Sequence, residues 1–268
     1  MKGDPMDRFT KEEIRTAVRE RYSAVARNQG SDCGCSPSCC SASTSADKKS
    51  VAMGYTAEEV AAAPEGANLG LGCGNPQAIA SLRPGETVLD LGSGGGFDCF
   101  LAARAVGAQG RVIGVDMTAE MVALARKNAQ KTGYANADFR MGEIEHLPVA
   151  DSSVDVIISN CVINLSPEKP QVFREAFRVL KSGGRLAVSD IVASTEVPES
   201  VRGDLAAVSA CVGGASSVDD LRRMLGEAGF EGIRITPKEE SRSFIKDWSP
   251  DRGIENLILS ATIEAVKP

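Results

Sequence analysis

The stretch Thr87-Val88-Leu89-Asp90-Leu91-Gly92-Ser93-Gly94-Gly95-Gly96 decides how this chain folds. Its first half is an apolar run with one acid, and its second half is almost entirely glycine. Glycine has no Cβ and tolerates positive φ, so such a run permits a tight turn and the close approach of a ligand. Phe97–Ala105 then has the pattern of a helix, and a helix N-terminus attracts anionic groups. The order of strand, glycine turn and helix predicts a nucleotide-type binding site.

The segments that follow repeat this alternation of strand and helix. Alternating strands and helices predict a doubly wound α/β domain with a mainly parallel sheet. No long helix separates the last two strands, so we expect an antiparallel hairpin at one edge. The predicted elements are Thr87–Leu91, Phe97–Ala105, Gly110–Asp116, Thr118–Gly133, Val154–Ser159, Pro170–Leu180, Gly184–Ser189, Val218–Ala228, Ile233–Thr236 and Ile258–Glu264.

The N-terminal part has a different character. An amphipathic helix is predicted from about Thr10 to Arg27, followed by a cysteine-rich stretch, Cys33–Cys40. Ser41–Ser50 is rich in small and polar residues and is interpreted as a flexible linker. A short helix near Ala57–Ala63 and the loop Leu69–Pro76 precede the first strand. The charged start has no apolar segment of the kind found in signal peptides, so a cytoplasmic location is expected.

Composition excludes several classes of function. The 268 residues carry a net charge of −6, which argues against a nucleic-acid partner because phosphates need a basic surface. No stretch is apolar for long enough to span a membrane, so no membrane partner is expected. The single histidine argues against imidazole-rich metal sites and Ser-His-Asp hydrolysis. Eight cysteines in a chain kept in a reducing compartment suggest soft-metal, metalloid or redox chemistry.

The glycine turn does not match the dinucleotide fingerprint G-x-G-x-x-G. In the register that starts at Gly92 the third glycine is replaced by Phe97, and in the register that starts at Gly94 it is replaced by Cys99. The pattern D-x-G-x-G-x-G resembles instead the first motif of class I S-adenosylmethionine-dependent methyltransferases. Asp116 lies 20 residues past Gly96 at the end of the next strand, where a carboxylate can bind two ribose hydroxyls.

This resemblance implies a Rossmann-like fold with a mainly parallel seven-stranded sheet and S-adenosylmethionine as the cofactor. Residues 142–145 follow the next strand and are implied to flank the adenine. The resemblance assigns cofactor binding to Asp90, Gly92, Ser93, Gly94, Gly96, Asp98, Asp116, Met117, Ile144, Glu145 and Asn160.

The methyl acceptor should lie beyond the fourth strand, where the chain has Asn160-Cys161. Amide and adenine methyltransferases usually carry N-P-P-Y or D-P-P-Y there, and this sequence does not match them. A thiol at this position favours a soft acceptor. Five segments of the chain resemble those of arsenite methyltransferases: Gly72-Cys73-Gly74, Asp98-Cys99, Asp116-Met117-Thr118, Ser159–Leu165 and Cys211–Ala215.

The resemblance implies that Cys161 and Cys211 bind trivalent arsenic and that Cys73 completes a pyramidal three-sulfur site. Thiolates suit such a thiophilic centre. The arsenic lone pair carries no proton and can attack the methyl carbon, so no general base is needed and proximity and alignment supply the catalysis. Cys99, which lies among apolar residues of the helix after the glycine turn, is expected to be a packing residue.

The resemblance also implies a redox step. Methylation leaves arsenic formally pentavalent, and the family couples its reduction to a disulfide between the Cys73 equivalent and an N-terminal cysteine, later reduced by thioredoxin or glutathione. Cys39 and Cys40 resemble a pair found in microbial members and are assigned a catalytic role, although Cys33 and Cys35 also qualify. Leu71 departs from the tyrosine that eukaryotic relatives carry beside the cofactor.

The expected organisation has three parts: residues 1–50 as the N-terminal segment and linker, 51–192 as the cofactor domain, and 193–268 as an arsenic-binding portion that completes the sheet. The expected function is methylation of arsenite or its thiol conjugates by a monomeric detoxification enzyme, giving mono- and dimethylated arsenicals. Two alternatives remain open: a methyltransferase for a small organic acceptor such as a quinone, and a non-catalytic metalloid-binding protein. The N-terminal cysteines alone could also hold zinc.

Overall fold

A computed structural model describes residues 9–28, 42–248 and 252–268. Its centre is one sheet with the strand order β3-β2-β1-β4-β5-β8-β7, and the short β6 pairs with β5 outside this path. The strands are β1 Thr87–Leu91, β2 Arg111–Asp116, β3 Ala137–Met141, β4 Val154–Asn160, β5 Leu180–Ala193, β6 Ser216–Ser217, β7 Glu231–Lys238 and β8 Ile258–Val266.

Helices precede, connect and follow these strands. They are α1 Lys11–Arg27, α2 Ala42–Ala52, α3 Ala57–Ala62, α4 Gln77–Ala80, α5 Phe97–Val106, α6 Ala119–Thr132, α7 Lys169–Val179, α8 Glu199–Arg202, α9 Leu205–Val208, α10 Val218–Glu227 and α11 Arg242–Ile245. Among the described residues, no helix is both long and apolar enough to span a membrane.

The sheet has the predicted architecture. Strands β3, β2, β1, β4 and β5 are parallel, whereas β8 runs antiparallel to both β5 and β7. The seven-stranded sheet with an antiparallel edge is therefore confirmed, with β6 as a two-residue addition. Because the carboxyl ends of parallel strands meet at one edge, the loops after β1, β2 and β4 lie together, and ligands of such sheets bind there.

The apolar core lies on both faces of the sheet. Successive side chains of a strand point to opposite faces, and in β1 Val88 belongs to one buried cluster while Leu89 belongs to the other. The Leu89 cluster includes α7 and α10, and the Val88 cluster includes α5 and α6. Both faces are covered, as expected of a parallel sheet.

One prediction about the N-terminal part is wrong. The stretch interpreted as a flexible linker contains α2. Tertiary contacts rather than its polar sequence account for this helix, since the buried Ser50 hydroxyl donates to Asn68 Oδ1 at 3.0 Å and Asn68 Nδ2 donates to Asp47 Oδ1 at 3.0 Å. The strand that the resemblance implied before residue 142 is the short β3, whose bounds were not predicted because only Phe139 of its five residues is buried and its apolar pattern is weak.

The predicted first helix is confirmed as α1 and packs across the sheet edge that carries the loops. Thr10 caps it with a capping box, in which the Thr10 hydroxyl accepts from Glu13 N and the Glu13 carboxylate accepts from Thr10 N. Ion pairs hold the helix down: Arg15 lies 3.0 Å from Glu168, and Lys11 lies 2.6 Å from the same carboxylate. The helix therefore forms one wall above the carboxyl ends of the strands.

Candidate active site

A cavity of about 590 Å³ lies at the carboxyl ends of β1, β2 and β4. Its walls come from α1, α2, the glycine turn and the segment around Trp248. Among the predicted cofactor residues, those that line it are Asp90, Gly92, Ser93, Gly94, Asp98, Asp116, Met117, Ile144, Glu145 and Asn160. Cys161 and Cys211 also line it. The structure thus brings most of the predicted cofactor residues and two of the three predicted arsenic-binding cysteines to one cavity, whereas Gly96 and Cys73 are not among its lining residues.

The glycine turn is shaped by close packing. The N–H groups of Gly92 and Ser93 donate to the carbonyl of Val115 at 2.8 and 3.1 Å, which ties the turn to β2. Gly92 has φ 71°, and a Cβ there would lie 2.4 Å from the Val162 side chain. Gly94 has φ 51° but no atom within 4 Å of a Cβ, because it faces the open cavity. Gly96 does not line the cavity, and its lack of a side chain makes room for Phe100.

Carboxylates at the cavity floor are held in different ways. Asp116 accepts hydrogen bonds from Thr118 N at 2.8 Å and Gly94 N at 3.0 Å, which orient it at the end of β2. The Asp90 carboxylate accepts from the Cys99 thiol at 3.2 Å. Burial raises the pKa of Asp90 well above its ordinary value, and repulsion from Asp98 adds to the effect. Cys99, expected to be a packing residue, therefore also serves as a hydrogen-bond donor.

These residues fit S-adenosylmethionine. The Ser93 hydroxyl is buried and has no hydrogen-bond partner, and it lies in the turn beside the open space at Gly94. Asp90 and Asp98 are two buried carboxyl groups at the same cavity, and cationic groups there would stabilise their ionised forms. The cofactor carries an ammonium and a sulfonium, and its ribose hydroxyls suit Asp116.

The loop predicted to flank the adenine lies at the cavity wall beneath α1. Ile144 is buried there, and the buried Glu145 carboxylate accepts from Ser166 Oγ at 2.6 Å. Arg15 of α1 approaches Glu145 at 3.5 Å and Glu143 at 3.5 Å. The carboxylate of Glu145 is thus engaged by the protein, while its segment shapes the cavity.

Three cysteines from distant segments meet in one buried cluster. Cys73, Cys161 and Cys211 belong to the same buried group of side chains, and none is in a disulfide. The Cys211 thiol donates to the main-chain oxygen of Cys161 at 2.9 Å. The thiols of Cys73 and Cys161 and a carboxylate oxygen of Asp190 all lie within 4.8 Å of one another.

Burial and mutual contact govern the protonation of this thiol cluster. Burial raises the pKa of Cys73. Contact with the Cys161 thiol raises the pKa of Cys211 well above its ordinary value, and burial adds to it. At Cys161 the contact with Cys211 lowers the pKa, but the contact with Cys73 and burial outweigh it, so the net shift is upward. The cluster therefore consists of neutral thiols at pH 7.

The backbone at two of these cysteines is unusual. Cys161 has φ 61° and Cys211 has φ 65°, both in the left-handed region that non-glycine residues seldom adopt. Such strain persists only where the surrounding structure imposes it, and it is concentrated at functional sites. Cys161 N donates to Ser189 O at 2.8 Å, which holds this turn against β5.

Sequence reasoning missed two members of the site. Asp190 is an acid within the apolar run of β5, and this isolated charge in a buried strand is the sequence signal that marks it. Burial raises its pKa to about 6, while N–H donors from Ile191 and Ile163 oppose the shift. Tyr22 of α1 lines the cavity, and burial raises its pKa well above the ordinary value, with smaller effects from Cys211 and Cys161. The position of Tyr22 in the helical repeat of α1 predicts only that it packs on the apolar face of that helix.

The remaining predictions about single cysteines concern Cys39, Cys40 and Cys99. Cys39 and Cys40 fall outside the described residues. Cys99 is buried in α5 and belongs to a different apolar cluster from the three grouped cysteines.

Comparisons with known proteins agree with this arrangement. A family described as "Methyltransferase domain" matches residues 82–229. An arsenite methyltransferase of Halobacterium salinarum is 56% identical over 265 residues, covering 96% of this chain and 67% of the relative. An arsenite methyltransferase of Aquipseudomonas alcaligenes is 46% identical over 171 residues, covering 61% of this chain and 49% of the relative.

The chain belongs to the arsenite methyltransferase family. A solved structure of an arsenic(III) S-adenosylmethionine methyltransferase from Chlamydomonas reinhardtii matches with a TM-score of 0.61 and 32% identity, covering 83% of this chain and 73% of that one. The methyltransferase fold, the enzyme class and S-adenosylmethionine as the cofactor are thereby confirmed. The chain spans about two thirds of the Halobacterium relative and about half of the Aquipseudomonas one.

Proposed function

We propose that this methyltransferase transfers methyl groups to trivalent arsenic held by Cys73, Cys161 and Cys211. The observation that carries the proposal is the meeting of three buried thiols beside the cofactor cavity. The high identity to named arsenite methyltransferases supports the same substrate.

The thiol cluster suits arsenite rather than a divalent cation. When arsenous acid exchanges three hydroxyls for three thiols, each As–O bond is replaced by an As–S bond, and each thiol proton leaves with hydroxide as water. No net proton is released, so thiols whose pKa is raised by burial can take part without a base.

The residues of the cavity then align donor and acceptor. Bound S-adenosylmethionine supplies an electrophilic methyl group on a sulfonium. In this proposal Asp90 holds the cationic methionine part of the cofactor and Asp116 holds its ribose beside the glycine turn, while the thiol cluster presents the arsenic lone pair. Alignment of this kind converts a bimolecular reaction into a unimolecular one, which is a large catalytic effect.

Reduction follows methylation in this proposal. The methylated arsenic is formally pentavalent, and attack by an N-terminal thiolate on the Cys73 sulfur breaks the As–S bond and forms a disulfide. The bonding electrons return to arsenic, which stays on Cys161 and Cys211 as monomethylated trivalent arsenic. Thioredoxin or glutathione then reduces the disulfide, and a second methyl transfer gives the dimethyl product.

The physiological setting belongs to the same proposal: a monomeric enzyme of the cytoplasm that detoxifies arsenic. Four cysteines of the described residues are free, which agrees with a reducing compartment. Gel filtration and cell fractionation test the oligomeric state and the location, and a dimer or a secreted product would contradict these two points.

Mass spectrometry of the products tests the proposal. The purified protein is incubated with arsenite, S-adenosylmethionine and glutathione or thioredoxin, and methylated arsenic is the expected product. Cys161→Ser and Cys211→Ser are expected to abolish both methylation steps. Cys99→Ser is the matched control, because serine keeps the hydrogen bond to Asp90 and the residue lies outside the thiol cluster. Absence of methylated arsenic with the unmodified chain would overturn the proposal.

A further inference from the structure

The side-chain amide of Asn160, at the end of β4, is hydrogen-bonded to the protein through both its oxygen and its nitrogen. Its oxygen accepts from Cys73 N at 3.0 Å. Its nitrogen donates to Gly74 O at 2.8 Å and to the Tyr55 hydroxyl at 2.9 Å. An asparagine amide has two N–H donors, so these two contacts use both, and Asp98 Oδ2 is a longer contact at 3.5 Å. The amide thus binds the main chain on both sides of the Cys73 side chain.

We propose that Asn160 is a positioning residue that places the Cys73 thiol in the thiol cluster and thereby decides three-thiol recognition of arsenite. This inference rests on the proposed function of the cluster. The cofactor contact predicted for Asn160 stays a separate prediction.

The close approach of the Cys73 loop to Asn160 explains the two glycines beside Cys73. A Cβ at Gly72 would lie 2.9 Å from the Asn160 amide, and Gly72 has φ 130°. A Cβ at Gly74 would lie 2.9 Å from the Ser189 side chain on β5. The loop therefore lies between the end of β4 and Ser189 of β5, and it reaches that position because both residues that flank Cys73 lack side chains.

The same amide connects Cys73 to the cofactor cavity. The Tyr55 hydroxyl accepts from Asn160 and donates to the Asp98 carboxylate at 2.8 Å. Tyr55 and Asp98 are buried, as is Cys73. Buried hydrogen-bond chains of this kind hold their members in a single arrangement, because leaving one partner unpaired costs free energy.

The other two thiols are held without the Asn160 side chain. Cys161 N donates to Ser189 O at 2.8 Å, and the Cys211 thiol donates to Cys161 O at 2.9 Å. Arsenite has three exchangeable positions and needs all three thiols, whereas a mono-organic trivalent arsenical has only two and needs only Cys161 and Cys211. Loss of the Asn160 amide should therefore weaken arsenite binding selectively.

The test uses Asn160→Ala in the full chain, with arsenite and phenylarsine oxide as probes. Trp248 is the only tryptophan and lines the cavity, so its fluorescence reports binding. The expected result is a loss of arsenite affinity of about tenfold or more, the scale of a lost buried hydrogen bond. Affinity for phenylarsine oxide should change by less than about threefold.

Cys73→Ser is the reference variant and should show the same selective loss. Because Asn160 acts through Cys73, the double variant should lose no further arsenite affinity. Equal weakening of both arsenicals, or additive losses in the double variant, would overturn the inference. If Asn160→Ala does not fold, Tyr55→Phe is tested in its place, because it removes one hydrogen-bond partner of the Asn160 amide. A selective loss of arsenite affinity in this variant supports the inference, and an unchanged ratio of arsenite to phenylarsine oxide affinity overturns it. A wild-type chain that binds neither arsenical would instead overturn the proposed function.

Discussion

The Cys211 thiol donates to the main-chain oxygen of Cys161 at 2.9 Å, and both residues have left-handed backbone, with φ 65° and 61°. The contact joins the loop after β4 to the loop after α9. It sets two thiols side by side at the cavity before any ligand arrives. The backbone strain is the cost of this arrangement.

That strain is measurable at Cys161. In the left-handed region an L-residue with a Cβ is disfavoured by about 1 kcal/mol and glycine is not. Cys161→Gly should therefore be more stable than Cys161→Ala by about 1 kcal/mol, as measured by urea unfolding.

Ala102 provides the control for that comparison because it lies in the interior of α5. At that position the protein with glycine should have a free energy of unfolding about 1 kcal/mol lower than the protein with alanine. The same order of stability at both positions would show that Cys161 is not strained.

Gly94→Ala should weaken cofactor binding without unfolding the protein. Gly94 has φ 51° and an added Cβ would project into the open cavity, where it takes space from the cofactor. We expect a loss of about 1 kcal/mol in stability and at least about a tenfold loss of affinity for S-adenosylmethionine by calorimetry. Gly133→Ala is matched, since Gly133 has φ 73° and open space but ends α6. Equal cofactor affinity in the two variants would contradict the placement of the cofactor.

Arg15→Ala should weaken the packing of α1 on the rest of the protein and lower the free energy of unfolding. The Arg15 side chain is 13% exposed and meets the carboxylates of Glu143, Glu145 and Glu168. Removing it leaves the buried Glu145 without a cation, so we expect a loss of about 1–3 kcal/mol in the free energy of unfolding. Arg223→Ala removes exposed pairs within α10 and should cost less than about 0.5 kcal/mol. A similar cost for both variants would show that α1 is not held by this cluster.

The pH dependence of stability should reveal the buried Asp98. Burial raises its pKa to about 6, although hydrogen bonds from Tyr55 and Asn160 oppose the shift. Its folded-state pKa lies above the unfolded one, so its contribution is present below about pH 4 and is lost as the pH rises through about 6.

Asp98→Asn should therefore reduce the fall in the free energy of unfolding between about pH 4 and pH 6 by up to about 3 kcal/mol. Denaturant titrations of the cofactor-free protein at several pH values measure it. An unchanged slope in the variant would mean that Asp98 is not buried as a free acid.

Local patterns were enough to predict the main fold and the cofactor turn. The apolar strand before Gly92 and the acid at Asp116 follow from short-range rules of turns and strand ends. The linker prediction was wrong at α2 because that helix depends on contacts with Asn68 and Gly70, which belong to a later segment and not to the local pattern.

The sequence by itself determined which chemical groups the chain carries and at which strand ends they stand, since these depend on neighbours along the chain. Only the tertiary structure decided that Cys73, Cys161 and Cys211 share one buried cluster, with Asp190 beside it. It also decided that the Asn160 amide hydrogen-bonds to the main chain of the Cys73 loop. The physical reason is that these relationships arise from packing between segments far apart in sequence, which no local pattern encodes.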